Sequence, residues 1–411
     1  MHRVLALWLK QDQMLVQTRA NMARPEFSEW KKAERVSLMM NNLNLMSTEI
    51  TQSKKLQTMM LNKNTLQHIP PNFFDTMSSL KVLDLSLTGI KELPSEIGHL
   101  QELVSLNLFK SKLKRLPDGL KHLTKLRFLN LGYTTRLIDI PDKVISSLKN
   151  LRVLIMYASY GAWDVDSSGE GVKLEELENL THLKELAITV EEEKVLKELC
   201  KNDPLAKITS CLLIRGCEGM DNFKLPGKLM YGLRLGRVVD CHDLKVLTIG
   251  NPGEETWISG RQERKLELKG LPTAHIQWRE KVSKNMWLQS LTWLSITSCK
   301  GIKGQLIGNT TKKNKKRKIE IFGALKYLEL NDLPKLDGIY DCLLPFPLLR
   351  TFKVVRCPKL KELPFTEDGA TKLRDIYCEK HWWDKLRRDD EKIRTRLKHL
   401  VKFEDDDITG E

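Results

Sequence analysis

Leucines at 80, 83 and 85 recur at 103, 106 and 108 and again at 126, 129 and 131, so one Leu-x-x-Leu-x-Leu frame returns every 23 residues. Leu56, Met59 and Leu61 fit the same frame upstream, as do Ala33, Val36 and Leu38, and Leu151, Leu154 and Met156 continue it. A unit this short cannot bury its own leucines. Successive units must therefore stack and share one continuous core, which commits the chain to a repeat architecture.

Two further positions recur independently of the leucines. The ninth residue of the unit is small and polar, at Asn64, Thr88, Ser111 and Thr134 and later at Cys299 and Cys357. A side chain there must satisfy backbone groups inside the bend that follows each strand. An apolar residue before proline then recurs at Ile69-Pro70, Leu93-Pro94, Leu116-Pro117 and Ile140-Pro141, with Leu93 and Leu116 each matched four residues on by Ile97 and Leu120. Proline fixes the backbone and removes a donor that a convex segment would leave unpaired. Period, strand frame and turn residue are those of the leucine-rich repeat. The expected fold is an α/β curved solenoid with a parallel concave β-sheet and an irregular convex side.

The frame loosens after residue 156, where Ala158–Gly171 is an insertion rich in Gly, Asp, Ser and Glu. It resumes at Leu183, Leu186 and Ile188, at Leu212 and Ile214 with Cys217, at Leu244, Leu247 and Ile249, and at Leu291, Leu294 and Ile296. Leu325, Leu328 and Leu330 and then Leu349, Phe352 and Val354 are the last clear units. The solenoid is assigned to 31–378, irregular at 157–182, 220–290 and 301–320, with one or two irregular units in the second of these. Residues 379–411 form a capping helix and an acidic tail, with Trp382 and Trp383 covering the open end of the core.

Strand residues between the leucines project from the concave side. They make Lys81, Asp84, Asn107, Phe109, Arg127, Phe128, Asn130, Tyr133, Arg152, Tyr157, Trp293, Tyr327 and Glu329 the expected partner-reading surface, since aromatics with basic neighbours are typical interface anchors. With 68 Lys and Arg against 53 Asp and Glu, the formal charge is +15, which favours an acidic partner. The excess is uneven. Residues 31 to 155 carry 19 basic and 10 acidic side chains, whereas 161 to 200 carry 4 and 11, a polarity that suits oriented protein contact better than a nucleic-acid groove, so nucleic acid is not an expected partner.

No run of about 18 apolar residues exists to form a transmembrane helix, and the apolar run Val4–Leu9 is too short for a secretory signal. Eight cysteines between Cys200 and Cys378 do not form a secreted disulfide framework. A cytoplasmic location is expected, with nuclear and membrane-peripheral sites as alternatives. The run Lys312, Lys313, Lys315, Lys316, Arg317 and Lys318 is dense enough to read as nuclear targeting or a polyanion patch, although a solvated loop between repeats is the simpler explanation. Cys217, Cys299 and Cys357 lack zinc-type spacing and read as core residues. No metal, no cofactor and no catalytic grouping of histidines or carboxylates is expected, and the chain is read as a non-enzyme.

Three stretches resemble plant nucleotide-binding leucine-rich-repeat disease-resistance proteins of the coiled-coil class. Met1-His2-Arg3 followed by Val4–Leu9 is similar to the Met-His-Asp motif that closes the family's winged-helix module, with Arg3 in place of Asp. Thr58–Leu120, with Leu83-Asp84-Leu85-Ser86 and Leu93-Pro94-Ser95-Glu96-Ile97-Gly98, is similar to its first repeats. Cys357-Pro358-Lys359-Leu360-Lys361-Glu362-Leu363-Pro364 and Glu379-Lys380-His381-Trp382-Trp383-Asp384 resemble its last repeat and cap.

The resemblance implies that residues 1–30 are the remnant of a winged-helix end and a linker. The chain lacks the Gly-x-x-x-x-Gly-Lys-Ser/Thr loop that would cradle phosphates. It is then a truncated relative, a fragment of a longer product, or a repeat-only protein acting on other receptors. The implied function is a ligand-sensing and autoregulatory module of an intracellular immune receptor. Its partners would be a pathogen effector or a guarded host protein, and a receptor's nucleotide-binding domain in cis or in trans. Docking to that domain is expected through Lys110, Lys112, Lys114 and Arg115. The alternative is a general intracellular leucine-rich-repeat signalling scaffold, for which regular 23-residue units throughout would be the signature.

Overall fold

The computed structural model describes residues 14–16, 30, 32–44, 46, 53–165, 172–249, 263–278, 286–307, 321–340, 342–386 and 391–404. The Met1–Leu9 motif, the basic run Lys312–Lys318 and the acidic tail beyond Glu404 lie outside them. Two compact units divide the chain, Met1–Thr189 and Val190–Glu411.

In the first unit the repeat frame becomes a ladder of very short parallel strands: Met14–Val16, Arg35–Ser37, Thr58–Met60, Val82–Asp84, Ser105–Asn107, Phe128–Asn130 and Val153–Ile155, followed by Glu185–Val190. Their register sets Val36, Met59, Leu83, Leu106, Leu129, Leu154 and Leu186 opposite one another, all fully buried. Each of the first seven strands stops after three residues because the chain then bends inward.

At every bend one residue adopts a left-handed conformation: Met40, Lys63, Leu87, Lys110, Tyr133 and Ala158, with φ between 52° and 58°. This costs roughly 1–2 kcal/mol at each non-glycine residue. The turned N–H recovers much of it by donating to the next repeat, from Lys63 to Ser86 O at 2.9 Å, from Leu87 to Phe109 O at 2.7 Å and from Tyr133 to Tyr157 O at 2.8 Å.

In three of the repeats assigned such a residue, the polar side chain that follows closes the bend from inside, whereas Ser111 Oγ is buried with no hydrogen-bond partner and does not make the expected contact. Asn64 Nδ2 donates to Leu38 O and Leu61 O at 2.9 and 2.8 Å, and its Oδ1 accepts from Leu43 N at 3.3 Å. Thr88 Oγ1 donates to Leu85 O at 2.7 Å and Thr134 Oγ1 to Leu131 O at 2.6 Å. Asn41 and Ser159 fill the same place in units where no polar residue had been assigned. On the convex side, Pro94 and Pro117 lead into 3-10 turns at Ser95–His99 and Asp118–His122, which bury Ile97 and Leu120. Adjacent turns touch backbone to backbone. A Cβ on Gly119 would fall 1.9 Å from Ser95 O, so only glycine fits.

The second unit keeps the parallel ladder, in Thr209–Arg215, Leu235–Val239, Arg264–Lys269, Leu291–Thr297, Tyr327–Asn331, Thr351–Val355, Asp375–Cys378 and Val401–Phe403. Its other side also forms strands: Asn222–Leu225, Val246–Ile249 and His275–Trp278 make a separate parallel sheet, and Gly304–Ile307 pairs with Leu336–Tyr340.

This corrects one sequence expectation. Leu247 and Ile249 carry the leucine frame but lie in the separate sheet, while the main ladder runs through Leu235–Val239, where Gly236 stands at a position the frame reserves for leucine. A Cβ on Gly236 would meet Leu233 Cδ2 at 3.0 Å. Near the carboxyl end two short helices, Lys380–Asp384 and Glu391–Leu397, are followed by the last strand of the ladder rather than by helix alone. Trp382 and Trp383 are buried there, and Trp382 Nε1 donates to Leu360 O at 2.7 Å.

Candidate protein-binding faces

The strand face of the first unit carries three parallel files of side chains, because register repeats each strand position on the next rung. The file nearest the turn is polar and occupied. Asp84 Oδ1 accepts from Ser86 N, Asn107 Oδ1 from Phe109 N and Asn130 Oδ1 from Gly132 N, at 2.9 to 3.2 Å, and Asn107 Nδ2 donates to Asp84 Oδ2 at 3.1 Å. Asp84 and Asn107 were expected to read a partner. Their carboxylate and amide groups are instead spent fixing the bends that follow their strands, the usual short-range habit of Asx side chains.

Beyond the bend, Phe109, Tyr133 and Tyr157 form an aromatic ladder, with centroids 5.5 and 5.7 Å apart in edge-on and tilted contacts. Tyr133 remains exposed and Phe109 half-buried. Tyr157 is 4% exposed, so its ring supports the ladder from beneath, contrary to its expected place on the open surface. Lys110 does not share a flank with Lys112 and Lys114. Its Nζ lies over the Phe109 and Tyr133 rings at 5.6 and 5.3 Å.

Phe128 is half-buried on its strand, and Lys81, Arg127 and Arg152 are exposed in the file that precedes the strands. Lys81 Nζ donates to Gln57 Oε1 at 3.3 Å. Lys112 and Lys114 are exposed, whereas Arg115 is engaged with Asp139 of the next repeat at 3.3 Å. Lys184 occupies the same file as Arg127 and Arg152 but was not singled out. Its signal was present, since Lys184 follows Leu183 as Arg152 follows Leu151.

In the second unit Trp293 and Tyr327 stack face to face on neighbouring strands, 3.5 Å between centroids, with Lys265 Nζ 5.4 Å from the indole. Tyr327 Oη donates to Glu329 Oε2 at 3.2 Å and Ser295 Oγ to the same oxygen at 2.8 Å. Burial and the Glu329 charge push the Tyr327 phenol well above its usual range, so it stays a donor.

The buried turn cysteines belong to the core. Cys357 Sγ lies 3.6 Å from Leu330 O, and burial pushes the Cys299 and Cys357 thiols up to about 12. Among the described residues no cluster of His, Cys, Asp and Glu is arranged to hold a metal ion, and no helix is long and apolar enough to cross a membrane. The described strand faces offer cations and aromatic side chains to a partner.

The stacked repeats have the leucine-rich-repeat fold, and residues 36–230 match the family model described as a leucine-rich repeat region. More particularly, the chain is similar to plant disease resistance proteins. Disease resistance protein UNI of Arabidopsis thaliana is 30% identical over 91% of this chain and 42% of its own length. Disease resistance protein SUMM2 of the same plant is 30% identical over 98% of the chain and 45% of its length, and a probable disease resistance protein is 32% identical over 91% and 40%. The chain thus spans less than half the length of these relatives. Among solved structures, a Leptospira interrogans leucine-rich-repeat protein aligns over 98% of both chains at 17% identity, with a TM-score of 0.47.

Proposed function

We propose that this chain is the recognition and autoregulatory module of an intracellular plant immune receptor, acting by binding proteins and not by catalysis. The observation that carries the reading is the division of labour in each repeat. Leucines and turn residues build the rung, while the side chains of Arg127, Phe128, Tyr133, Arg152, Trp293 and Tyr327 are left on the strand face with no part in closing the bends. The relatedness to disease resistance proteins over about nine-tenths of the chain supports a role in defence. The recognised partner is a pathogen effector or a host protein that effectors modify, and the location is cytoplasmic.

The second contact is with the nucleotide-binding domain of a receptor, in cis or in trans. Lys112 and Lys114 are the side chains for it, since they are exposed and unpaired among the described residues, while Lys110 is turned to the rings and Arg115 to Asp139. Contacts of this kind are screened within roughly 8 Å at physiological salt. Co-precipitation with a nucleotide-binding domain supplied in trans, at low and high salt, tests this contact. The parent should bind and weaken with salt, and a folded Lys112→Glu, Lys114→Glu protein should release the domain. Unchanged binding by that variant would remove the docking assignment, and failure to capture any effector or receptor partner would remove the module reading.

A further inference from the structure

Neighbouring repeats are stitched on their exposed sides by polar pairs about one period apart. Glu102 meets Lys125 at 2.5 Å and Asp139 meets Arg115 at 3.3 Å as opposite charges, and Asp75 shares a hydrogen bond with the His99 ring at 2.7 Å. The second unit does the same with Asp203 and Lys228 at 2.6 Å and Asp221 and Lys245 at 3.0 Å. Three of its strand-face cations are neutralised too, Arg237 on Glu267, Lys353 on Glu404 and Lys402 on Asp375, each at 2.6 Å.

In the second unit Lys326, Arg350 and Arg374 stand on successive rungs with Lys326 paired to Glu263 at 3.0 Å, and in the first unit one file has no such pair among the described residues. Arg127, Arg152 and Lys184 stand on three successive rungs, joined by backbone bonds from Arg152 N to Arg127 O and from Lys184 N to Arg152 O, both 2.8 Å. All three are exposed, and among the described residues none has a carboxylate partner. Like charges directly opposite each other on neighbouring strands destabilise a sheet. Three stacked cations are therefore a cost that a partner's charge would relieve.

We propose that the Arg127, Arg152 and Lys184 file binds an acidic, extended segment of the recognised protein, lying across the strands. The proposal rests on the reading of the chain as a protein-recognition module and names the chemistry of its partner. Strands about 4.8 Å apart set the three cations over about 10 Å, which an extended peptide crosses in three or four residues at about 3.3 Å each. Lys81, two rungs before Arg127, lengthens the file to about 19 Å, or about six residues. The side-chain lengths of Arg and Lys absorb the mismatch in pitch.

A polypeptide fits better than nucleic acid for two reasons. The file is single, with Asp84 close by on the same face, whereas a phosphate backbone needs cations spread broadly along it. The rings of Phe109, Tyr133 and Tyr157 are packed against each other with Lys110 over two of them, which leaves little open ring face for a base.

The test is fluorescence anisotropy of a labelled hexaglutamate peptide with the 411-residue protein, beside hexaglutamine and a short DNA duplex carrying the same label. Hexaglutamate should bind, weaken as salt rises and exceed hexaglutamine by tenfold or more. Arg152→Glu should lower its affinity at least tenfold while leaving the melting temperature equal or higher, because the file then alternates in sign. Arg152→Gln gives a smaller loss and serves if the reversal does not fold. The exposed Lys224→Glu, in the second unit, should bind like the parent. Absent hexaglutamate binding, parental affinity in a folded Arg152 variant, or tighter binding of the duplex at the same residues would each overturn the proposal. Capture of an effector or receptor partner by the Arg152→Glu protein at parental strength would likewise remove this file from recognition while leaving the module reading in place.

Discussion

Trp293 and Tyr327 lie on adjacent strands with their rings 9° from parallel and 3.5 Å apart between centroids, and the Tyr327 hydroxyl is anchored on Glu329. The stack is held from two sides, by the register of its strands and by a hydrogen bond. It is thus a preformed platform, and ordering it adds little to the entropy lost on binding.

A double-mutant cycle on Trp293→Ala and Tyr327→Ala should yield an interaction energy of about 0.5–1.5 kcal/mol, the range of aromatic pairs beyond their buried area. Lys265→Ala should cost about 0.5–1 kcal/mol more through loss of its contact with the indole. Urea unfolding of the four proteins measures the first, and additivity of the two ring deletions would show that the stack contributes nothing beyond area.

Asn64 joins two repeats through three bonds of one amide. Asn64→Ala should destabilise the protein by roughly 2–4 kcal/mol, because Leu38 O, Leu61 O and Leu43 N lose buried partners and each such loss costs about 1–3 kcal/mol. Asn64→Thr should recover part of this, since Thr88 and Thr134 make the donor half of the contact in their own repeats. Equal loss in both variants would contradict the role given to the amide.

Lys63 is exposed and left-handed, at φ 58°. Lys63→Gly removes a penalty of roughly 1–2 kcal/mol against a flexibility cost of about 0.5–1 kcal/mol. The variant should be slightly more stable, by about 0.5 kcal/mol, a shift readable in the thermal midpoint. Lys63→Val should be clearly less stable, because a β-branched side chain tolerates this conformation worst.

Burial pushes the thiols of Cys200, Cys299, Cys357 and Cys378 up to about 12 from an ordinary value near 9. Between these values the unfolded chain gives up protons that the native chain keeps. Stability is therefore fully present below about pH 9 and falls as pH rises toward 12, by about 1.4 kcal/mol per pH unit for each thiol. Unfolding followed from pH 8 to 10.5 should show this slope, and Cys357→Ala should make it shallower. At pH 8 a thiol reagent should modify exposed Cys342 long before buried Cys299, Cys357 and Cys378, and uniform reactivity would refute the assignment.

The first unit was legible in its sequence because one residue type does each job once per repeat. A leucine at 83, 106 or 129 is fully buried, and a polar residue at 64, 88 or 134 closes a bend. Legibility failed where a job changed hands. At Gly236 a Cβ would crowd Leu233 Cδ2 at 3.0 Å, and at Leu247 the frame occurs in a strand of the other sheet. For the binding face, exposure was readable for Arg127, Arg152 and Tyr133 but partnership was not. That Asp84 and Asn107 turn back on their own backbone, that Arg115 meets Asp139 and that Tyr157 lies beneath Tyr133 all depend on distances across repeats, which the order of residues does not display.

The left-handed residues have a consequence for how such a chain can be made. Because Lys63 N binds Ser86 O and Tyr133 N binds Tyr157 O, each bend is finished by the repeat after it. A chain leaving the ribosome would always carry one half-closed repeat at its growing end, protected only once about 24 more residues emerge, as the separation of these partners dictates. Order of assembly would then follow order of synthesis, and a ribosome stalled between repeats would display an open strand edge to which chaperones or a second nascent copy could add.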